Sequence, residues 1–323
     1  MKLAKTYGYL KKDLTKIEKA LNESIQAEHP VLRHASTQLL RAGGKRIRPI
    51  FVLLSGKFGQ FDIERVKTVA VTLELIHMAT LVHDDVVDEA ELRRGKHTVK
   101  KKHGNRIAMY TGDYILARAL EHITEIDNSY IHKILSKSLV EVCIGEIEQI
   151  KDKYDLNQSV RQYFRRIKRK TALLIATSCQ LGALATGASN KDAQLLYRYG
   201  YYIGMSYQII DDILDFTASV KELGKPTGND LLQGNITLPV LFAMQDESFK
   251  ERLTDLFTET SPISDQEMVE LIDQLKETDA IEQSYAISER FLEKSLKAVE
   301  QLDDNQAKKT LIQIAHTIGK RKR

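Results

Sequence analysis

Hydrophobic positions recur along most of the chain with the spacing of buried or amphipathic helices. Residues 66–87 (VKTVAVTLELIHMATLVHDDVV) carry apolar side chains on most faces, so we expect a central, buried helix there. The segments 138–150, 171–187 and 195–216 have the same character. No strand-like alternation extends beyond a few residues. The pattern therefore predicts an all-α protein.

The stretches between these segments carry the signals that end and begin helices. Gly187 and Asn190 separate two apolar segments, and Asp192 lies near the start of the second. Residues 224–235 (GKPTGNDLLQGN) are the most loop-like internal stretch, and residues 261–267 (SPISDQE) predict a turn followed by a helix cap. No repeat and no linker divides the chain. We expect one all-helical domain over residues 1–323, with about a dozen helices.

Composition limits the possible partners and the compartment. A net charge of +4 suits anionic small molecules or an acidic lipid surface, but it is too small for a nucleic-acid binder. Cys143 and Cys179 show no CxxC spacing, and we expect reduced core thiols in a cytoplasmic protein. The N-terminus lacks the apolar run of a signal peptide, and the longest apolar stretches are shorter than a membrane span.

Two aspartate motifs with the same spacing each close an apolar helix, DDVVD at 84–88 and DDILD at 211–215. On a helix with 3.6 residues per turn, the first and last aspartates of each motif lie on one face. Oxygen ligands without His or Cys favour a hard cation such as Mg²⁺, which typically bridges carboxylates to phosphates. One motif alone is as well explained by a solvated acidic turn, but two are not. The candidate metal ligands are Asp84, Asp85, Asp88, Asp211, Asp212 and Asp215.

Basic residues near these motifs suit a diphosphate. Residues 42–49 (AGGKRIRP) place cations between a glycine pair and a helix start, and Arg93 and Arg94 follow the first motif. His77 lies two turns before Asp84, although a lone His on an apolar helix is more often a core residue. Residues 165–171 (RRIKRKT) are expected to be mostly a solvated face, with Lys170 and Thr171 able to point inward. Lys225 and Asp230 are predicted on a mobile loop, as a lid or as plain surface.

From Gly43 to Pro239 these motifs occur in an order that closely resembles the trans-polyprenyl diphosphate synthases. The motifs are GGKRIRP, His77, DDVVD, RRG, the Lys170–Thr171 pair, Gln208 before DDILD, and GKPTGNDLLQGN. The chain looks most like the catalytic subunit of bacterial heptaprenyl or hexaprenyl diphosphate synthases. One departure is Asn235, where the family often has Lys after the second motif.

The resemblance implies an isoprenoid synthase fold around a deep central cavity, with the two aspartate clusters facing each other at its mouth. It further implies that Mg²⁺ bridges the clusters to an allylic diphosphate, with Asp85 and Asp212 in support of the other four aspartates. Arg93, Lys170 and Lys225 would hold the allylic diphosphate. Lys45, Arg48, His77 and Arg94 would hold isopentenyl diphosphate, and Thr171 and Gln208 would line the reacting centre.

Product length and partner are further expectations from the resemblance. Short-chain members often carry aromatic rings at the positions of Ala79 and Thr80, so these small residues predict a product of roughly six to eight isoprene units, most simply heptaprenyl diphosphate. The small residues would also fit close helix packing. The primer would be farnesyl or geranylgeranyl diphosphate, and the product would supply quinone side chains. A heterodimer with a small non-catalytic subunit is expected, a homodimer remains open, and membrane contact would be transient.

Three rival functions remain at the level of sequence. A short-chain geranylgeranyl or farnesyl diphosphate synthase would share the same motifs. A class I terpene cyclase would share the first cluster, but its second cluster usually has an Asn/Asp, Ser, Glu pattern that DDILD lacks. A degenerate partner subunit would not need all six aspartates together with both Arg93 and Arg94.

Overall fold

The predicted all-α class is confirmed by the structure, a computed structural model that describes residues 8–218, 227–258 and 263–320. The helices in chain order are α1 Lys11–Ser24, α2 Pro30–Arg41, α3 Ile47–Gly56, α4 Ile63–Val87, α5 Val99–Ile123, α6 Ser129–Lys151, α7 Val160–Ile167, α8 Leu173–Ala185, α9 Asn190–Thr217, α10 Asn229–Leu232, α11 Leu238–Ala243, α12 Glu247–Thr258, α13 Asp265–Glu277, α14 Ala280–Val299 and α15 Gln306–Gly319. A 3₁₀ turn, Gly8–Leu10, precedes α1, and a π-helical segment, Lys168–Ala172, joins α7 to α8.

The backbone contacts group these elements into two compact units. Among the described residues, unit 1 comprises 8–135, 176–197 and 301–311. Unit 2 comprises 136–175, 312–320 and the described part of 198–300. The expectation of one domain over the whole chain stays a prediction.

Helix α4 is the core helix of unit 1, as its hydrophobic pattern predicts. Asp62 caps its start by accepting a hydrogen bond from the Glu64 N–H at 2.9 Å, and Asp88 follows its last turn. Nearly all side chains from Val66 to Ala79 are buried. The helix is long and apolar enough to cross a membrane, but 72% of its most apolar window is buried inside the protein, which is typical of a core helix.

Unit 2 is built around α9 and the segment that leads into the π turn. Ser159 and Gln162 form a capping box that starts α7, so this short basic helix begins at a defined residue. The apolar faces of α7, α9 and α11 to α14 share one core that includes Tyr163, Phe216 and Phe249. Ser264 starts α13 with a second capping box, which confirms the predicted cap at that position.

Two details differ from the sequence-based expectations. A two-stranded hairpin pairs β1 (Leu92–Arg93) with β2 (Lys96–His97) directly after the first aspartate motif. Its two central residues, Arg94 and Gly95, have φ values of 54° and 74°, as a type I′ turn requires. Four residues are too few to show a period, which is why the pattern missed them. The core placement of the cysteines is confirmed for Cys179 but is wrong for Cys143, which is exposed on α6.

Candidate active site

The first aspartate cluster lies at the C-terminal end of α4. The Asp88 N–H donates to the Asp84 carbonyl at 2.8 Å, so the helical turn continues and places both side chains on the same side. Asp84 and Asp88 are half-buried, whereas Asp85 is buried and accepts a hydrogen bond from Arg93 Nε at 2.7 Å. Burial raises the pKa of Asp85, and the Arg93 charge opposes that rise. Asp85 is therefore committed to the hairpin arginine, and Asp84 and Asp88 are left as the outward pair.

Beside this cluster, three of the four residues predicted to hold isopentenyl diphosphate, Arg48, His77 and Arg94, lie close to one another in unit 1, whereas Lys45 is exposed. Burial, followed by the positive charges of Arg48, Arg94 and Arg93, holds the pKa of His77 well below its usual value. A methyl group built on Gly44 would lie 2.8 Å from a terminal guanidinium nitrogen of Arg94 and equally close to one of Arg46. The GGKRIRP segment, the hairpin and α4 therefore converge on one strongly cationic region.

Arg46 holds the GGKRIRP segment in place, a role that sequence reasoning missed. It precedes α3 in a left-handed conformation (φ 48°), which is strained for an arginine. Its guanidinium pairs with Glu18 on α1 and, at 3.2 Å, with the buried Glu74 on α4. The only sequence signal for this is a glutamate inside the apolar run of α4. Arg46 orients the segment that carries Lys45 and Arg48.

The second aspartate cluster lies near the end of α9, and its three carboxylates have different surroundings. Asp211 is exposed, whereas Asp212 and Asp215 are buried. Asp212 accepts hydrogen bonds from the Tyr163 hydroxyl at 2.6 Å and from Gln208 Nε2 at 2.8 Å. Burial, together with the nearby negative charge of Asp230, raises the pKa of Asp212 to about 7. The two side chains that donate hydrogen bonds to Asp212 are neutral, and Arg166 interacts with Asp212 electrostatically.

The predicted catalytic residues of unit 2 lie beside this cluster. The Thr171 hydroxyl donates to Gln208 Oε1 at 2.6 Å, and Lys170 donates to Gln149 Oε1 on α6 at 2.7 Å. Both Lys170 and Thr171 lie in the π turn, a type of distortion that is frequent at functional sites. Sequence reasoning missed the partners Tyr163 and Gln149, because neither belongs to a recognisable motif.

The expectation of a mostly solvated face at residues 165–171 is wrong for two arginines. Arg166 is buried and donates to Gln158 Oε1 at 2.6 Å and to the Ile236 carbonyl. Arg169 pairs with Glu141 at 2.9 Å and with Glu148 at 2.5 Å, both on α6. Most of the basic run therefore fixes the π turn to its neighbours.

The described part of the predicted lid is tied down at several points. The Gly228 N–H donates to the Asp215 carbonyl at 2.8 Å, and the Asp230 N–H donates to Asp215 Oδ2 at 3.0 Å. The Asn235 N–H donates to the Asp230 carbonyl at 2.8 Å, which closes the turn after α10. Asp230 thus lies beside the second cluster. Lys225 lies outside the described residues.

The predicted chain-length residues lie one turn before Asp84 on α4. Ala79 is buried, and Thr80 is half-buried with its hydroxyl donating to the His77 carbonyl at 2.9 Å. Small side chains at these positions leave room on that turn. The structure is compatible both with a passage for the product and with close helix packing.

The donor set of both clusters fits a hard divalent cation that completes its shell with water and phosphate. Carboxylates at a helix C-terminus oppose the helix dipole, and a cation offsets that cost. Across residues 8–218, 227–258 and 263–320, no three His, Cys, Asp or Glu side chains form a group that could hold a metal ion alone. Mg²⁺ usually keeps several waters and is held by one or two carboxylates plus substrate phosphates, so such a sparse set suits it.

Comparison with known proteins decides the family. The polyprenyl synthetase family model matches residues 29–275, which is well over half of the chain. The chain belongs to the polyprenyl synthetase family. It is a prenyltransferase of the isoprenoid synthase fold, as the resemblance implied.

Members of this family resemble the chain along its whole length. The chain is 57% identical over 323 residues to heptaprenyl diphosphate synthase component 2 of Bacillus subtilis (strain 168), covering 100% of this chain and 92% of the relative. The crystal structure of heptaprenyl diphosphate synthase from Staphylococcus aureus superposes with a TM-score of 0.91 at 42% identity, covering 96% of this chain and 98% of that one.

A second solved structure bears on the ligands. The polyprenyl synthase of Caulobacter crescentus CB15, crystallised with calcium and isoprenyl diphosphate, superposes with a TM-score of 0.91 at 26% identity, covering 99% of this chain and 98% of that one. The family works with a divalent metal ion.

Proposed function

We propose that this chain is the catalytic component of a two-component heptaprenyl diphosphate synthase. It condenses isopentenyl diphosphate in trans with an allylic primer, farnesyl or geranylgeranyl diphosphate, and uses Mg²⁺. The observation that carries this proposal is the 57% identity over the full chain to a heptaprenyl diphosphate synthase component 2. The presence of both aspartate clusters and of the cationic region around His77 supports a catalytic role.

We assign the substrate sites by charge and position. Lys45, Arg48, His77 and Arg94 hold isopentenyl diphosphate, because the guanidinium groups around His77 match the oxygens of a diphosphate. Arg93, Lys170 and Lys225 hold the allylic diphosphate. The outward carboxylates Asp84, Asp88 and Asp211 are the first candidates for metal ligands, and the buried Asp85, Asp212 and Asp215 hold them in position.

The reaction needs charge compensation and a dry site, with no nucleophilic side chain. Magnesium, when bound, neutralises the allylic diphosphate so that it leaves as pyrophosphate. The arginines orient both diphosphates, and Thr171 and Gln208 line the reacting carbons and stabilise developing positive charge with their oxygen dipoles. The C–O bond to the diphosphate breaks and leaves an allylic cation, and the double bond of isopentenyl diphosphate attacks that cation to form the new C–C bond. The proton that is then lost goes to the departing pyrophosphate.

An exposed apolar face on α6 supports a partner subunit. Val140, Ile144, Ile147 and Ile150 follow a helical i, i+3, i+4 spacing, and their exposed fractions are 59%, 39%, 68% and 48%. A contiguous apolar stripe of this kind on a surface helix marks an interaction site. We assign it to the small non-catalytic subunit of a heterodimer, and a second copy of this chain is the alternative occupant.

We place the enzyme in the cytoplasm, with transient contact to a membrane surface when the product is released. A C35 isoprenoid is nearly insoluble in water, so release without an acceptor is slow. The product is suited to the side chains of isoprenoid quinones such as menaquinone.

Product analysis tests this proposal. The purified chain is incubated with Mg²⁺, labelled isopentenyl diphosphate and farnesyl diphosphate, alone and with candidate small subunits, and the products are chromatographed. We expect a C35 product in the mixture and little without the partner. A C20 product would establish a short-chain geranylgeranyl diphosphate synthase, and a cyclic hydrocarbon would establish a terpene cyclase. Full activity of the chain alone would show that no small subunit is needed.

Two variants test the site of chain-length control. The substitutions Thr80→Phe, at a half-buried position, and Ala79→Phe, at a buried one, each place an aromatic ring on the helical turn before Asp84. The ring would narrow a product passage that runs along this turn. We expect shorter products from both, with A79F also losing stability through overpacking. An unchanged product length in a folded T80F variant would show that the growing chain does not pass this turn.

A further inference from the structure

Tyr163 on α7 makes a close polar contact with the second aspartate cluster that no motif predicts. Its side chain is fully buried, and its hydroxyl donates to Asp212 Oδ2 at 2.6 Å. Because the carboxylate of Asp212 can only accept, the Tyr163 hydroxyl is the donor of this hydrogen bond.

The contact belongs to a chain of side chains within unit 2. The other oxygen of Asp212 accepts from Gln208 Nε2 at 2.8 Å, and Gln208 Oε1 accepts from the Thr171 hydroxyl at 2.6 Å. Gln208 can donate to Asp212 and accept from Thr171 at the same time only if its side-chain amide has this one orientation. The chain Tyr163–Asp212–Gln208–Thr171 thus connects α7, the metal-binding end of α9 and the π turn.

The ring of Tyr163 is itself held in place. The guanidinium carbon of Arg166 lies 5.7 Å from the ring centroid, and Arg166 is fixed by Gln158 and by the Ile236 carbonyl. Phe164 packs at 5.7 Å between ring centroids. Neither the ring nor its hydroxyl can move without disturbing the core of unit 2.

We propose that Tyr163 is a positioning residue for the second metal cluster. Tyr163 holds one oxygen of Asp212, and the other oxygen of Asp212 is left to orient Gln208 and, through it, Thr171. The same contact fixes the rotation of α9 about its axis and therefore the direction in which the neighbouring Asp211 points. A carboxylate held in one rotamer binds a cation with less loss of conformational freedom than a mobile one. This inference rests on the proposed metal-binding role of the second cluster.

The Tyr163→Phe variant tests the inference, because it removes one oxygen atom and keeps the ring. We expect the Mg²⁺ concentration for half-maximal activity to rise on the order of tenfold, in keeping with a lost hydrogen bond to a charged group. We also expect a smaller rise in unfolding temperature when Mg²⁺ and inorganic pyrophosphate are added to the purified protein. The KM for isopentenyl diphosphate should stay within about twofold of the wild-type value.

The Tyr199→Phe variant is the matched control, since Tyr199 is a fully buried tyrosine on the same helix as Asp212 but three turns away. It should leave both magnesium readouts unchanged. If Y163F lowers the unfolding temperature of the metal-free protein as Y199F does, and leaves both magnesium readouts at wild-type values, Tyr163 is only a core residue.

A double-mutant cycle shows whether Tyr163 acts through Asp212. Adding Y163F to D212N should change the Mg²⁺ concentration for half-maximal activity by less than twofold. If the double variant instead shows the sum of the two single effects, the inference is overturned. The Asp211→Asn variant distinguishes a wrong metal assignment of the second cluster from a wrong role for Tyr163. If D211N leaves the magnesium response intact, the metal assignment of the second cluster is wrong. If D211N abolishes it and Y163F does not alter it, only the role of Tyr163 is wrong.

Discussion

The two aspartate motifs share one spacing but have opposite surroundings. In unit 1, Asp85 is paired with Arg93, and the neighbouring His77 lies among further arginines. In unit 2, Asp212 accepts hydrogen bonds from the neutral side chains of Tyr163 and Gln208, and the charges that act on it include those of Asp230 and Arg166. The same Asp-Asp-x-x-Asp spacing therefore ends beside a direct arginine–carboxylate ion pair in one unit and in a network of neutral hydrogen-bond donors in the other.

This difference indicates a division of labour. The first cluster has protein cations beside it that can bind diphosphate oxygens directly. In the second cluster Asp212 accepts its hydrogen bonds from neutral side chains, so a bound metal ion would offset part of the cost of burying its charge. The same spacing in two motifs does not imply that their residues contribute equally.

The largest expected effect is loss of activity on removal of an outward carboxylate from either cluster. Asp84→Asn and Asp211→Asn should each lower kcat/KM on the order of a thousandfold, because a lost metal ligand removes charge stabilisation where the diphosphate leaves. Incorporation of labelled isopentenyl diphosphate measures this. The Asp303→Asn variant, at an exposed aspartate outside both motifs, is the control and should keep wild-type activity.

If only one of the two variants loses activity, the pairing of the clusters in catalysis is wrong. The comparison would then reduce to one metal-binding cluster and one structural cluster.

A second prediction contrasts the middle aspartates in stability. Asp85→Asn should lower the free energy of unfolding by about 2 kcal/mol, because it leaves Arg93 beside the cationic region without its partner. Asp212→Asn should raise the stability of the metal-free protein at pH 8. Burial raises the pKa of Asp212 to about 7, so ionisation of this carboxyl destabilises the folded state relative to the unfolded chain, and the effect grows from about pH 4 and is complete above about pH 7.

Urea denaturation in the presence of EDTA measures both variants. Equal destabilisation by D85N and D212N would contradict the contrast between the ion-paired Asp85 and Asp212, whose hydrogen-bond donors are neutral.

A third prediction concerns the cationic region of unit 1. Gly44→Ala should push apart the guanidinium groups of Arg46 and Arg94, which lie 2.8 Å from the position of the added methyl group. We expect a KM for isopentenyl diphosphate about fivefold higher and a smaller change in kcat, since binding of one diphosphate is disturbed. Gly8→Ala is the control, because a methyl group there meets no atom within 4 Å. An unchanged KM would show that Arg94 does not bind isopentenyl diphosphate.

Sequence patterns predicted the parts of the molecule that depend on local chemistry. Helical periodicity gave α4 and α9, and the repeated spacing gave the aspartates at their ends. The hairpin after Asp88 was missed because a two-residue strand has no period. Arg46 and Tyr163 were missed because their roles depend on Glu74 and Asp212, each brought close only by the fold. Arg166 was assigned to a solvated face because charge alone does not show burial.

The smallest expected effect is the pH dependence that His77 imposes on unit 1. Its pKa lies well below the usual value because of burial and the surrounding arginines, so the folded state resists protonation of His77. The unfolded chain takes up a proton below about pH 6.5, so the stability contributed by neutral His77 is present above that pH and is lost as the pH falls.

The His77→Gln variant isolates this contribution. Between pH 6.5 and 5.5 the wild-type protein should lose on the order of 1 kcal/mol more unfolding free energy than H77Q, because a single group changes stability by at most about 1.4 kcal/mol per pH unit. Urea denaturation of both proteins at both pH values measures this difference in unfolding free energy. Titration of the second aspartate cluster cancels, because both proteins contain it. Parallel pH profiles would mean that the arginines near His77 are too far away or too well solvated to act on it. The cationic region of unit 1 would then no longer contrast with the network around Asp212.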